Sequence, residues 1–300
     1  MATARLARHR RDWQEAVIQR GDPHSDEREV NVVRDGRVQQ HDRLRDRIRS
    51  QLPLLSVWVR REYGVRYRQS GLGLAWSVLL PVSTLVVYGT LLSGFLHVAS
   101  DGRPYVVFAW CGLTVWTFTS TALGAGIPSI SNAGGIITKV YFPREVVPLA
   151  NIGVSLIDLG ISTALLVTIA LLQHQGLSAW VLLLPVVYLP VVLWVAALTV
   201  AGSALTVFVR DLRHGLPILT QLLLLATPVM YAPSVVPRRV HWILDANPFA
   251  VVVMSVRNLV LRHAAPDFAL LALHAAAGAM LLLLALLYTR AVEPGMADVV

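Results

Sequence analysis

The feature that most constrains this chain is a succession of apolar runs set in a 300-residue sequence. They extend over about 74–95, 105–125, 146–172, 177–209, 216–231 and 268–288. A helix that crosses a bilayer needs about 20 predominantly apolar residues, with tolerance for tilt and kinks. The fifth run is short by that measure. In hydrocarbon every backbone N–H and C=O must be bonded within the protein, so runs of this kind predict helices. The predicted class is all-α, a polytopic membrane protein with six transmembrane helices. Pro185 and Pro190 fall in the fourth run, where neighbouring helices or waters must take up the freed carbonyls. Composition agrees. Hydrophobic residues make up 55% and charged residues only 15%, against about 25% charged in a soluble domain.

The net charge of +8 is unevenly placed: residues 1–73 carry about +6 of it and the remainder about +2. The signs alternate along that segment and aromatics are few. A basic juxtamembrane segment of this kind faces anionic lipid headgroups, and no groove-reading motif points to nucleic acid. Residues 1–50 read as a cytoplasmic polar tail, partly disordered, and residues 291–300 as a cytoplasmic C-terminal tail. The first fifty residues lack the apolar core of a cleavable signal peptide. Between the runs, basic residues fall 21 to one side and 5 to the other. By the positive-inside rule both termini are cytoplasmic. The Arg bias (25 Arg, one Lys) and the richness in Ala, Val and Leu suggest a high-GC bacterial source, and hence the bacterial plasma membrane.

Two segments outside the runs are unusual. In residues 52–68, Leu54, Leu55, Trp58, Val59 and Val65 fall near one helix side, with Arg60, Arg61, Arg66 and Arg68 between them. That pattern suits an amphipathic interface helix lying in the headgroup layer; a charged start to the first span is the alternative. The outer segment Ala232–Pro266 holds four prolines and the apolar run Phe249–Val253, too short to span. It reads as re-entrant helices between spans five and six. No internal repeat of the kind found in secondary transporters is visible.

Chemistry is sparse. The only lysine, Lys139, is followed by Val140, and Gly134 and Gly135 precede it at the wrong spacing for a phosphate-binding P-loop. The nine histidines form no metal-ligand pattern, so neither a metal site nor a catalytic residue is expected. Cys111 is a small apolar packing residue. Asp158 lies near the middle of the third run. An acid there costs about 2.5–3.5 kcal/mol on insertion scales and faces the bundle interior. It is either a proton relay or a hydrogen-bonded acid that holds helices together, and the lack of a second intramembrane carboxylate or cation argues against the relay. Tyr88, Trp110 and Trp116 sit deep in the first two runs. They either line a passage, stacking on sugar rings, or pack against lipid and protein. The loop Pro128–Glu145 brackets Ile130, Ile136, Ile137 and Val140 with prolines. It is either a short docking helix or a plain connector.

At this loop a resemblance becomes specific. Lys139-Val140-Tyr141-Phe142-Pro143-Arg144-Glu145-Val146-Val147-Pro148-Leu149-Ala150 resembles the loop-to-helix signature of ABC type-2 export permeases. The nearest group is the polysaccharide-export one (Wzm-like O-antigen, teichoic acid and galactan exporters). Tyr67-Arg68-Gln69-Ser70-Gly71-Leu72-Gly73-Leu74-Ala75-Trp76 resembles that family's start of span one. Val209-Arg210-Asp211-Leu212-Arg213-His214 resembles its inner loop before span five. Thr227-Pro228-Val229-Met230-Tyr231 with Asn247-Pro248-Phe249 resembles its outer region. The likeness covers roughly residues 50–290, so residues 51–290 are taken as one transmembrane domain. The Arg-rich tail is longer than the family needs.

The resemblance implies a half-transporter that forms a homodimer and binds two copies of a separate ATPase subunit. ATP and Mg belong to that ATPase, and this chain binds no cofactor. The helix at Leu52–Arg68 becomes an interface or gate helix, in which Trp58, Arg60, Arg61, Arg66 and Arg68 contact either a lipid diphosphate or ordinary anionic lipid. The segment about Pro128–Tyr141 becomes a cytoplasmic coupling helix, so that Ser129, Ile130, Ile136, Ile137, Lys139, Tyr141, Arg144 and Glu145 face the ATPase. Tyr231, Asn247, Pro248, Phe249 and Arg257 belong to the outer re-entrant region. The implied cargo is a polysaccharide on a polyprenyl diphosphate carrier. A type-2 permease for drugs or other lipids is the alternative. A membrane-embedded glycosyltransferase is weaker, because the outer acids Asp101, Asp245 and Asp267 are widely spaced.

Overall fold

The computed structural model describes residues 53–68, 71, 73–91, 102–133, 143–176 and 178–296. The long N-terminal tail and most of the expected coupling loop lie outside these residues. Among the described residues the fold is helical throughout. Helix α1 covers 53–63 and continues into a π-helical turn, Gly64–Arg68. Then come α2 (Trp76–Gly89), α3 (Tyr105–Gly126), α4 (Val146–Leu172), α5 (Leu184–Phe208), α6 (Leu212–Ala226), α7 (Pro248–Val260) and α8 (Phe268–Met296).

Four of these are long and apolar enough to cross a membrane: α3, α4, α5 with its leading 3-10 turn from Ala179, and α8. A fifth span results if Arg238–Ala246 and α7, bent by 95° at Asn247, count as one. Of the six runs expected to span, four fall on long helices and two on short ones. Helix α2 has 14 residues and α6 has 15, each below the membrane-crossing length. The fifth run is cut by Thr227-Pro228. The residue before a proline avoids the helical region, and Thr227 is extended with φ −107° and ψ 130°. The third run, by contrast, forms one uninterrupted helix over the expected Val146–Leu172. Pro185 does not kink the fourth span. It sits in the first turn of α5, where its missing N–H leaves no bond unmade.

Helix α3 is the axis of the bundle. Residues 107–115 are buried without a break, and α2, α4, α5 and α7 all pack on it. Helix α8 packs along α5 and leaves most of its surface exposed, with Leu273, Met280, Leu283, Leu284 and Leu287 facing outward. An apolar outer face of this extent suits lipid rather than water. Several hydroxyls bond within their own helices: Thr114, Thr119 and Thr163 donate to the carbonyls of Trp110, Val115 and Leu159 at 2.7–2.9 Å.

One close approach fixes the end of the bundle where α3 begins. The extended segment after α6 crosses α3 at Gly112, where a Cβ would collide with the Val229 backbone. Only glycine lets the two backbones approach so closely. Gly112→Ala is therefore expected to cost about 1–3 kcal/mol through overpacking, read as a lowered unfolding midpoint of the detergent-solubilised protein.

Candidate functional site: a polar latch and a buried knot

Three polar constellations stand out from the apolar bundle. The first joins α1 to α4. Trp58 of α1, with Leu54, Leu55 and Val59, packs on Val146, Val147 and Ala150 at the start of α4. This contact brings α1 alongside α4, and Gly153 gives Val59 room to seat. The π turn at the end of α1 then turns Arg66 and Tyr67 toward Asp158 (π turns often mark functional sites). Arg66 Nη1 lies 3.1 Å from Asp158 Oδ2 and also donates to Ser155 Oγ at 3.4 Å. The Tyr67 hydroxyl donates to Asp158 Oδ1 at 2.6 Å. Burial first, and then the bond to Asp158, hold the Tyr67 phenol well above the ordinary tyrosine range, so it remains a donor.

This arrangement supplies what the sequence did not reveal. No cation was expected within reach of Asp158, because none lies in a span. Arg66 reaches it from α1, 92 residues away in the chain. The four-arginine group is also divided. Arg60, Arg61 and Arg68 are exposed. Arg61 stands 4.6 Å over the Trp58 ring and 3.3 Å from Glu62. Arg66 alone turns inward.

Beside the latch is a cavity of about 420 Å³. Arg66, Tyr67 and Asp158 form its polar end, and Trp76, Leu80, Pro81, Phe118 and Leu159 give it apolar walls. Of the aromatics expected to line a passage, Trp110 is a core residue with 1% exposure. Its indole N–H donates to the Ser162 carbonyl at 3.1 Å, which binds α3 to α4. Trp116 is half-buried against Leu113, Val229 and Met230. The Tyr88 side chain lies outside the described residues. The cavity's aromatic faces are instead Trp76 and Phe118.

The second constellation lies where α4 begins and α8 ends. Arg290 donates Nε and Nη2 to Glu145 Oε1 at 3.1 and 3.0 Å. Among the described residues, the buried Glu145 Oε2 and Arg144 Nη1 have no hydrogen-bond partner. The short helix Ser129–Asn132 is nearby in sequence but plays a different part. Ile130 was expected to dock on a partner protein. It is fully buried, packed on Ala204, Val207 and Met296, because one turn of helix is wedged between α5 and α8. Ser129 is buried with it. Ile136, Ile137, Lys139 and Tyr141 lie outside the described residues.

The third is a knot at the opposite end. Arg257 of α7 is buried, with its guanidinium carbon 3.6 Å from the Phe108 ring centroid. It donates to the carbonyls of Phe108, Tyr231 and Val229 at 3.3, 3.4 and 2.7 Å. Asn247 caps α7 by accepting from the amides of Phe249 and Ala250, with Pro248 at the first helical position. Its amide nitrogen donates back to Ala226 and Thr227 at 3.2 Å. Asn247, Pro248, Phe249 and Arg257 therefore fasten the bent segment to α3 and α6. Tyr231 does the same through its hydroxyl, which donates to the Leu225 carbonyl at 2.8 Å.

With this geometry in view, comparison with known proteins is decisive. Residues 53–261 match the sequence profile of the ABC-2 type transporter family. The chain belongs to that family. It is thus a multi-pass membrane subunit of a transporter, and the match begins where α1 begins. It is also similar to curated proteins. The O-antigen export system permease protein RfbA of Myxococcus xanthus is 32% identical over 216 residues, covering 71% of this chain and 82% of the relative. Two Klebsiella pneumoniae proteins of the same name are 31% and 30% identical over 210 residues, covering 69% of this chain and 79% of each relative. The three constellations all draw on residues inside the family match, with Arg290 as the one partner beyond it.

Arg257→Ala would leave three buried carbonyls without a donor. Each such loss costs about 1–3 kcal/mol. The expected result is failure to accumulate as a monodisperse species in size-exclusion chromatography, with partial recovery in Arg257→Lys. Tyr67→Phe removes one bond to a carboxylate and is expected to cost about 1.5 kcal/mol, seen as a lowered midpoint of thermal unfolding.

Proposed function

We propose that this chain is the permease subunit of an ABC exporter in the bacterial inner membrane. It moves a polysaccharide linked to a polyprenyl diphosphate carrier from the cytoplasmic to the outer face. ATP hydrolysis in a separate subunit drives the movement. The observation that carries this reading is the 30–32% identity, over about 70% of this chain and 80% of their own length, to proteins named as O-antigen export permeases.

Other features support the finer parts. Counting α2 and α6 as short spans gives six, and an even number agrees with both termini on the cytoplasmic side, where 21 of the 26 basic residues then fall. The start of α4, with Arg144 and Glu145, and the loop before it then face the ATPase. The bent segment around Asn247 lies at the exit. Short helices gain most from a partner, since a mismatch with the bilayer is relieved by association. Helix α6 buries only Leu216 and exposes Ile218, Leu219, Leu222 and Leu225. It is a natural face for the second copy of a homodimer.

The test is genetic and biochemical. Deleting the chain from its host is expected to strand the lipid-linked glycan on the cytoplasmic face, and re-expression to restore surface glycan. An ATPase subunit and a second tagged copy are expected to co-purify. Normal surface glycan in the deletion strain, with heightened sensitivity to drugs, would overturn the cargo in favour of a drug or lipid permease.

A further inference from the structure

The cavity beside the latch has a composition that limits what it can hold. Its walls are apolar, and its charge is concentrated in Arg66 and Asp158 at one end. An amphiphile with a hydrocarbon chain and a compact anionic head matches that division. The obstacle is Asp158, which already occupies Arg66 and would repel an incoming anion.

The bonding of Arg66 offers a way past this competition. Its contacts in the latch, to Asp158 and to Ser155, both use Nη1. The remaining edge of the guanidinium, Nε and Nη2, is not committed to the latch. Arginine binds phosphate best as a two-pronged fork, and a diphosphate offers more charge and more oxygens than one carboxylate. Asp158 would not be stranded by the exchange, because Tyr67 continues to donate to its other oxygen at 2.6 Å.

We propose that this cavity seats the phosphorylated end of an isoprenoid lipid, that Arg66 is its ligand, and that Asp158 is the resting counterion which the phosphate displaces. This rests on the reading of the chain as a permease for a lipid-linked glycan, and deepens it. Because Asp158 is on α4 and Arg66 on α1, binding loosens the grip of α1 on the bundle. Asp158 is a positioning residue here. It competes with the ligand rather than contacting it.

That role makes opposite predictions for the two partners. The full chain with its ATPase is placed in nanodiscs of phosphatidylcholine and titrated with radiolabelled farnesyl diphosphate, and binding is read by scintillation proximity. Arg66→Gln is expected to weaken binding by about tenfold or more, the scale of a lost charge-assisted bond. Asp158→Asn is expected to tighten it several-fold. The double variant should behave as Arg66→Gln alone. A folded Asp158→Asn protein that binds no better, or worse, would mean that Asp158 merely holds α1, and the proposal fails. If Arg66→Gln does not fold, Arg66→Lys decides: it keeps the charge and loses the fork, so unchanged binding overturns the assignment. Farnesol or inorganic pyrophosphate binding as well as farnesyl diphosphate would remove the head or the chain from recognition and also overturn it. Competition by discs doped with phosphatidylglycerol would assign the cavity to bulk anionic lipid instead. Glycan export in cells is scored separately. A strain that exports glycan while these titrations fail leaves the permease reading standing and sinks only the lipid site.

Discussion

Every polar group that this chain takes into its apolar bundle has to find its partner inside the protein, because hydrocarbon offers none. That constraint accounts for the places where the fold departs from a plain stack of helices. Asp158 in mid-span calls an arginine and a tyrosine out of α1. The carbonyls left open where the chain turns after α6 are gathered by Arg257 from α7. Glu145 at the start of α4 is met by Arg290 from the far end of α8. Each of these contacts joins elements that apolar packing alone would let slide, since lipid tails compete with side chains for apolar surface on equal terms.

These ties also divide the molecule by task. The Arg257 knot is buried and makes three hydrogen bonds to backbone carbonyls, which suits a rigid frame around the bent segment. The latch differs. It is partly exposed, it uses one edge of its arginine, and it lies on a cavity wall. A partly exposed charge pair is held less firmly than a buried one, because water competes for both of its charges. The cluster at Glu145 is intermediate, with buried oxygen and nitrogen atoms still lacking partners.

Much of the fold was legible in residue order. The long runs gave α3 and α4 to within a residue of their ends, because twenty apolar residues in succession have one low-energy form in lipid; α5 proper starts only at Leu184, after a 3-10 turn, and α8 continues past the expected end at Tyr288 to Met296, into the expected C-terminal tail. The short helices were less legible. Their limits depend on single residues such as Pro228, whose effect on Thr227 is local but whose consequence, a segment crossing Gly112, is not. The signature residues around Arg144 and Glu145 pointed to the family, yet the burial of Ile130 was hidden. An isoleucine between prolines looks the same whether it faces a partner protein or the chain's own α5 and α8. The two readings open for Trp110, lining a passage or packing, could not be separated for a similar reason, since depth in a run does not say which way a ring points.

What the sequence by itself determined is the medium, the helical class, the family and the general kind of cargo machinery. These follow from local runs and short motifs, which act without knowledge of distant residues. What only the tertiary structure decided is which charges meet. Arg66 and Asp158 are 92 positions apart, and Arg290 and Glu145 are 145 apart. Their pairing depends on how α1 and α8 seat against α4, and seating is set by shape complementarity among side chains that no periodicity records.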